Sequence, residues 1–457
     1  MFRLLLINPA NSAKGLGNMS STAFPPLNLP YLAALTPSHY QVEVIDENIE
    51  PFEYRDADIV GITAYTASVN RAYAISQIYR TKGIPTVMGG IHVSMMPEEA
   101  LNYCDVVAIG EAETTWPAIL NDFENSALKK RYEGGWIDLK DLPMPRREIL
   151  KNPYYEWGSI QTSRGCPMNC SFCSVTAFNG RRYRRRPIDS VIAELETIPQ
   201  KKIMFTDDNI IGYGREDLDW AYTLFNRIIE KKIHKLFFAQ ASIQFGQNQA
   251  LLKLAAKAGL KIVFIGMESV LPNSLKFYNK NINFQIIKQN GYIDLISNIR
   301  KAGILFLGAF VVGGDEEDKS VFKTTLDFVK TSRIDILQVC KLTPLPGTRV
   351  REDLIKENRM IPEIFPEAWD NYRFSRINFI PFSMTSEEIY EGYAYLKNSY
   401  FSFWETLKRT FFTLTSTKSL TTTAISYALN QSYKKAFMDS DNFHFAKRKG
   451  LEKKYLF

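Results

Sequence analysis

The chain has 457 residues, of which 45% are hydrophobic, 23% charged and 13% aromatic. That composition excludes a disordered chain, a collagen-like chain and a coiled coil, and at roughly 150 residues per domain the length suggests about three units. The 56 Lys and Arg exceed the 49 Asp and Glu by 7, a mild surplus that suits an anionic partner without demanding nucleic acid.

No apolar run reaches the roughly 18 residues of a membrane-spanning helix. The opening run, Met1 to Ala10, is too short for a signal peptide, and the surface charge leads to the expectation of a cytoplasmic protein. Through residue 120 the chain alternates strand-like and helical segments. Apolar strands are expected at 4–10, 41–48, 57–65, 84–90 and 105–113, with a helical stretch over 68–83. Apolar strands separated by helical periods imply a parallel, doubly wound, Rossmann-like sheet. Ligands bind such sheets beyond the carboxyl ends of the strands. The loops there contain Asn8-Pro9, Thr63 to Thr66, Gly89 to His92 and Gly110-Glu111.

A polar stretch with a Leu-Pro-Met-Pro core follows and cannot be continuous helix. The expected division is a first domain over 1–135, a linker over 136–155, a second domain over 156–349 and a mostly helical region over 350–457. Six further strands are expected at 157–165, 202–208, 235–242, 261–269, 304–314 and 335–344. With helices between them they suggest a partial (β/α)6 barrel, open on one side. Asp207-Asp208, Glu268 and Gly313-Gly314 stand at strand ends, where such barrels carry their active groups. The end of the chain, 447–457, is basic.

Of the five cysteines, Cys166, Cys170 and Cys173 fall within eight residues, and Cys104 and Cys340 stand apart. A secreted disulfide framework would show more cysteines and an even number, so this pattern points to a reduced compartment and a metal. The spacing CxxxCxxC lets three thiolates hold three corners of a 4Fe-4S cube and leaves one iron open for a small molecule. Structural zinc is the alternative, but it pairs CxxC knuckles with a second pair or with histidines. The four histidines, His39, His92, His234 and His444, all lie far from the motif in sequence.

The motif, with Phe172 before its last cysteine, resembles that of the radical S-adenosylmethionine (SAM) superfamily. Segments 24–34, 87–92 and 108–113 look like the cobalamin-binding domain fused to many of those enzymes. The resemblance covers about residues 1–345 and is to the branch of hopanoid methylases, bacteriochlorophyll methylases and the anaerobic cyclase. It implies a cluster held by Cys166, Cys170 and Cys173, SAM on the open iron, and cobalamin in the first domain. SAM would be contacted by Asp208 and Glu268, with Gln240 and Gly313 nearby. Thr63, Gly89, Gly90, His92, Gly110 and Glu111 would hold cobalamin. The Asp-x-His-x-x-Gly motif of cobalamin mutases is absent after the first strand, so no protein histidine is expected on cobalt.

The activity implied is a cobalamin-dependent methyltransferase acting on an unactivated carbon. In the family, one SAM methylates cobalamin and a second yields the adenosyl radical that takes hydrogen from substrate. The rivals are a cyclisation or rearrangement without methyl transfer, a plain radical SAM enzyme with a vestigial first domain, and a non-catalytic carrier. The partners implied are an apolar small molecule and an electron donor such as flavodoxin or ferredoxin, with no nucleic acid.

Several residues keep two readings. Asp207 or Asp208 could cap a helix, and Glu268 could form an ion pair at a strand end. The run Arg181, Arg182, Arg184, Arg185 and Arg186 could hold an anion, but a solvated face is favoured. Cys340 could face a reaction cavity, though packing is favoured. The aromatic segment Tyr400 to Phe412 could cap the cavity or touch a membrane, with core packing favoured. The segment 377–381 and the Tyr-x-x-Leu-Lys pattern loosely resemble hopanoid methylases, which implies a lipid or tetrapyrrole-like substrate.

Overall fold

The computed structural model describes residues 1–10, 24–150, 154–289 and 291–448, with side chains described through Lys435. The first sheet consists of β1 (Phe2–Asn8), β2 (Tyr40–Asp46), β3 (Ile59–Thr63), β4 (Thr86–Gly89), β5 (Val106–Ile109) and β6 (Arg131–Glu133). All neighbours are parallel, in the order β2-β1-β3-β4-β5-β6. The direction of strand addition reverses between β1 and β3, which opens a ligand crevice at their carboxyl ends. Strand β1 is apolar on both faces because each face is covered. Leu4 and Leu6 pack with Leu29, Ala33 and Trp116, whereas Leu5 and Ile7 pack with Ala72 and Ile75. Strand β6 was not expected. It has three residues, too few for a periodicity to register.

The second sheet runs in the order β14-β13-β12-β11-β10-β7, all parallel. Its strands are β7 (Trp157–Ile160), β10 (Lys202–Phe205), β11 (Leu236–Ala241), β12 (Leu260–Glu268), β13 (Leu305–Val312) and β14 (Ile336–Lys341). Strands β7 and β14 do not pair, so the barrel is partial, as expected. A short antiparallel pair, β8 (Ser163–Arg164) with β9 (Arg184–Arg185), brackets the cysteine motif. Helices cover the convex face of the sheet and form the largest apolar core.

The concave face is closed from below. Trp157, Ile262, Leu305, Leu307 and Ile336, near the strand beginnings, meet Ile425, Leu429 and Tyr433 of the helix Leu420–Arg448. The C-terminal region is therefore the floor of the barrel. Helix Ser386–Tyr400 lies outside, where the Tyr393 and Tyr400 hydroxyls donate to the carbonyls of Val339 and Ile334. Residues 449–457, most of the basic end, lie outside the described residues, as do 151–153 within the expected linker.

Asp335, buried before β14, joins these parts. It receives two bonds from Arg300, at 3.0 and 3.1 Å, the Phe306 amide at 3.0 Å and the Thr413 hydroxyl at 2.7 Å. Its backbone carbonyl accepts from Asn430 at 2.9 Å. This one residue, through its carboxylate and its carbonyl, thus ties two strands to three helices. Replacing Asp335→Ala leaves the Arg300 guanidinium buried without its partner and is expected to cost about 3–5 kcal/mol, read as a lower denaturant midpoint.

Candidate active site

The three cysteines sit on the loop after β8, and Cys173 precedes the short helix Ser174–Asn179. Three ties hold this loop in place. The Ser171 amide donates to the Tyr278 carbonyl, the Ser171 hydroxyl to Phe277, and the Val350 amide to Ser171. Phe172 packs edge-on against Tyr278 at 5.4 Å. The start of the loop is fixed by Asp207. This buried carboxylate accepts from the Thr162 amide at 3.1 Å, the Thr162 hydroxyl at 2.7 Å and the Ser163 hydroxyl at 2.5 Å. Burial still raises its pKa above the usual carboxylate range. Neither Asp207 nor Asp208 caps a helix, since the next one, Arg215–Glu230, starts after Gly214.

Burial pushes the Cys170 thiol up to about 11, and the Lys280 ammonium pulls against it. Cys166 lies 2.8 Å from the Tyr213 hydroxyl, whose ring packs edge-on against Tyr183. Among the described residues, no three His, Cys, Asp or Glu side chains converge closely enough to hold one ion. Three thiolates on one loop are one donor short of a closed four-ligand zinc site and suit three corners of a 4Fe-4S cube.

A cavity of about 650 Å³ opens beside this loop, between the two sheets. Thr63, Gly89, Gly90, Gly110 and Glu111 line it from the first sheet. Gln161, Arg164, Gly165, Thr206 and Asp208 line it from the second. At Gly90 φ is +101°, and a Cβ there would meet the Ala64 carbonyl at 2.8 Å, so the turn admits only glycine. A second cavity, of about 570 Å³, occupies the barrel mouth. Gln240, Glu268 and Cys340 line it among Phe172, Met204, Phe238 and Phe264, and Tyr433 lies on its floor side. Phe24 lines both cavities.

The SAM candidates are thus divided, with Asp208 in the first cavity and Gln240 and Glu268 in the second. Glu268 also forms the strand-end ion pair, to Lys280 at 2.7 Å, and holds φ at +64°, a strained value for this residue. Cys340 faces the second cavity, a correction to the packing reading, and burial raises its thiol to about 11.

Three further expectations need correction. His92 is buried outside both linings, with Nδ1 3.2 Å from the Thr66 hydroxyl and Nε2 3.4 Å from Glu99. Its ring meets Trp369 edge-on, so it serves packing. Gly313 and Gly314 also lie outside both linings. Their amides donate to Glu317, and a Cβ on Gly314 would meet the Tyr278 hydroxyl at 2.6 Å. The close approach there is to the chain itself.

The arginine run is a solvated face only at Arg181 and Arg182, which are exposed; from Arg184 onward it turns inward. Arg184 grips Glu111 with both guanidinium NH groups, and Arg186 is buried 2.6 Å from Glu194. Arg185 pairs with Asp217, and Arg182 lies over the Trp136 ring. Glu111 also faces Arg164 at 3.4 Å and accepts from the Ile137 amide at 2.8 Å. Burial works against its charge, but these partners more than offset it and hold the carboxyl below its usual range.

Sequence reasoning missed Arg164, Tyr213, Lys280 and Tyr433. Tyr213 stands between two glycines after the Asp pair, and this is its only local sign. The other three act through tertiary placement and leave no motif.

Residues 14–120 match the B12 binding domain, and residues 160–329 match the Radical SAM superfamily. The bacteriochlorophyllide d C-8(2)-methyltransferase of Chlorobaculum tepidum is 31% identical over 375 residues, covering 75% of this chain and 78% of that one. The chain belongs to the cobalamin-dependent radical SAM methyltransferase family. The bacteriochlorophyllide d C-12(1)-methyltransferase of the same organism is 28% identical, covering 89% of this chain and 88% of its own. The fold is shared with the cobalamin-dependent SAM radical enzyme OxsB, with a TM-score of 0.71 and 15% identity over 99% of this chain and 76% of that one. Membership makes the protein an enzyme with a 4Fe-4S cluster, SAM and cobalamin as cofactors and a small-molecule substrate. It leaves no place for the zinc or carrier readings. No described helix is long and apolar enough to cross a membrane.

Burial, and then the charge of Asp207, raise the Asp208 carboxyl to about 6. A raised carboxyl disfavours the fold once it ionises. Asp208→Asn should therefore raise the melting temperature at neutral pH, and the gain should vanish as pH falls through about 6 toward about 4, where the unfolded carboxyl also protonates. Melting curves across that range check it.

Proposed function

We propose that this enzyme methylates a carbon of an apolar small molecule of tetrapyrrole or lipid type. The observation that carries this reading is the pair of cavities meeting at Phe24, one framed by both sheets and one walled by aromatic side chains. Region 1–135 holds cobalamin through Thr63, Gly89, Gly90, Gly110 and Glu111. Region 156–349 holds the cluster through Cys166, Cys170 and Cys173, and SAM where the two cavities adjoin, with Asp208 on one side and Gln240 and Glu268 on the other. Stretch 136–155 links the two, and within the helical region 350–457 the helix Leu420–Arg448 closes the barrel. When bound, these groups supply one-electron radical chemistry and a carried methyl group.

The chain's own residues do the rest. Asp208 and Glu268 present carboxylates to a cationic amino group and to sugar hydroxyls. The aromatic walls exclude water from the barrel mouth. Cys340 keeps its proton at neutral pH and offers a weak donor to the substrate face. Electrons come from an external donor such as flavodoxin or ferredoxin, and the C-terminal region makes a peripheral membrane contact. The names of the bacteriochlorophyllide methyltransferases support a flat, apolar substrate.

Cys170→Ala should abolish 5′-deoxyadenosine formation and leave cobalamin binding nearly unchanged. Metal analysis of the reconstituted wild type should give about four irons and one cobalt per chain. A product heavier by one methyl supports the reaction, and a product of unchanged mass supports cyclisation or rearrangement instead. The Tyr213 hydroxyl donates to the sulfur of Cys166 once that sulfur is a thiolate ligand, and such bonds raise a cluster's potential. Tyr213→Phe should therefore lower the potential in an EPR-monitored titration without loss of iron.

A further inference from the structure

The helices Phe403–Thr417 and Leu420–Arg448 form a hairpin, and in the first of them the polarity is reversed. A helix on a water-soluble surface buries its apolar stripe and exposes its polar one. Here Thr406, Arg409 and Thr413 of the first helix are buried. Phe403, Trp404, Leu407 and Phe411 remain 72%, 69%, 52% and 61% exposed. Their spacing puts all four on one face.

The second helix repeats the pattern only on its outward side, since Ile425, Leu429 and Tyr433 pack against the barrel. Thr422, Thr423, Ser426 and Asn430 are buried, while Leu420 and Tyr427 are exposed. Hydrogen bonds join the polar faces. Arg409 donates to the Tyr400 carbonyl at 2.7 Å and to the Asn430 side chain at 3.1 Å. Thr413 donates to Asp335 at 2.7 Å.

We propose that this outward face is a membrane-docking surface that seats in the headgroup region of an anionic lipid leaflet. Polar side chains bonded between helices, with apolar ones outside, are the arrangement that lipid favours. Trp and Phe are the side chains suited to the lipid–water boundary. The rim is basic. Lys330 and Lys408 flank Glu405 at 3.8 and 3.4 Å, exposed Lys418 follows the first helix, and Arg333 lies over the Phe412 ring at 4.3 Å. Such a rim complements anionic headgroups.

The helix Leu420–Arg448 also floors the barrel through Ile425, Leu429 and Tyr433, so docking would bring the lipid surface next to the substrate cavity. This deepens the membrane contact proposed above and rests on the apolar-substrate reading only for its purpose.

The test is flotation of the reconstituted full chain with phosphatidylcholine vesicles, with and without phosphatidylglycerol. The expected result is binding that needs phosphatidylglycerol and weakens with salt. The combined variant Phe403→Ser, Trp404→Ser, Leu407→Ser and Phe411→Ser should bind at least roughly tenfold less, with its circular dichroism and 5′-deoxyadenosine formation unchanged. Two results would overturn the proposal. One is wild type that floats with neither vesicle. The other is a solution dimer of the wild type that the variant converts to monomer, which would assign the face to a second copy of the chain. The 5′-deoxyadenosine readout keeps failure of docking separate from failure of the enzymatic reading.

Discussion

The cavity between the two sheets is held open by charge. Glu111, just beyond β5, is gripped by Arg184 of β9 and faced by Arg164 of β8. Arg164 also reaches Glu113 at 2.5 Å. Deeper in, Glu194 lies 2.6 Å from the Arg186 guanidinium and accepts a hydrogen bond from Arg147 at 2.5 Å. These pairs are largely withdrawn from water, so salt screens them little. They fix the separation and angle at which the glycine-rich loops of the first sheet face Asp208 and Gly165 of the second. An arginine run that looks like a surface feature is thus the joint of the molecule.

This explains which parts of the fold were legible in the sequence. Strands such as β1 and β13 announce themselves because both faces are buried, leaving unbroken apolar runs. Eleven of the twelve described strands in the two large sheets overlap the segments expected from the sequence, some as unbroken apolar runs and others, such as β2, as alternating ones. Strand β6 is short and polar and does not. The cysteine motif was legible because its chemistry is local, with three ligands on one loop.

Groups that act through tertiary placement were not legible. Lys280 meets Glu268 only because the chain returns over the end of β12. His92 follows a Gly-Gly turn at a ligand-facing edge, and sequence alone pointed it outward. The backbone turns it inward to Thr66 and Glu99, next to Trp369, which lies 277 residues further along. The aromatic segment Tyr400 to Phe412 misled differently. Tyr400 and Phe401 are buried as a core segment would be, but from Phe403 onward the stripe that faces inward is the polar one. Amphipathic spacing identifies two faces without saying which is covered.

The floor of the barrel has a consequence for synthesis. The concave strip of Trp157, Ile262, Leu305, Leu307 and Ile336 is complete once β14 has formed, yet Ile425, Leu429 and Tyr433 emerge some 80 or more residues later. A ribosome adding about 5–20 residues per second takes several seconds to cover that gap. During that interval the nascent chain displays an apolar groove in the shape of its future interior. A chaperone or a nearby lipid surface would meet that groove before the closing helix does.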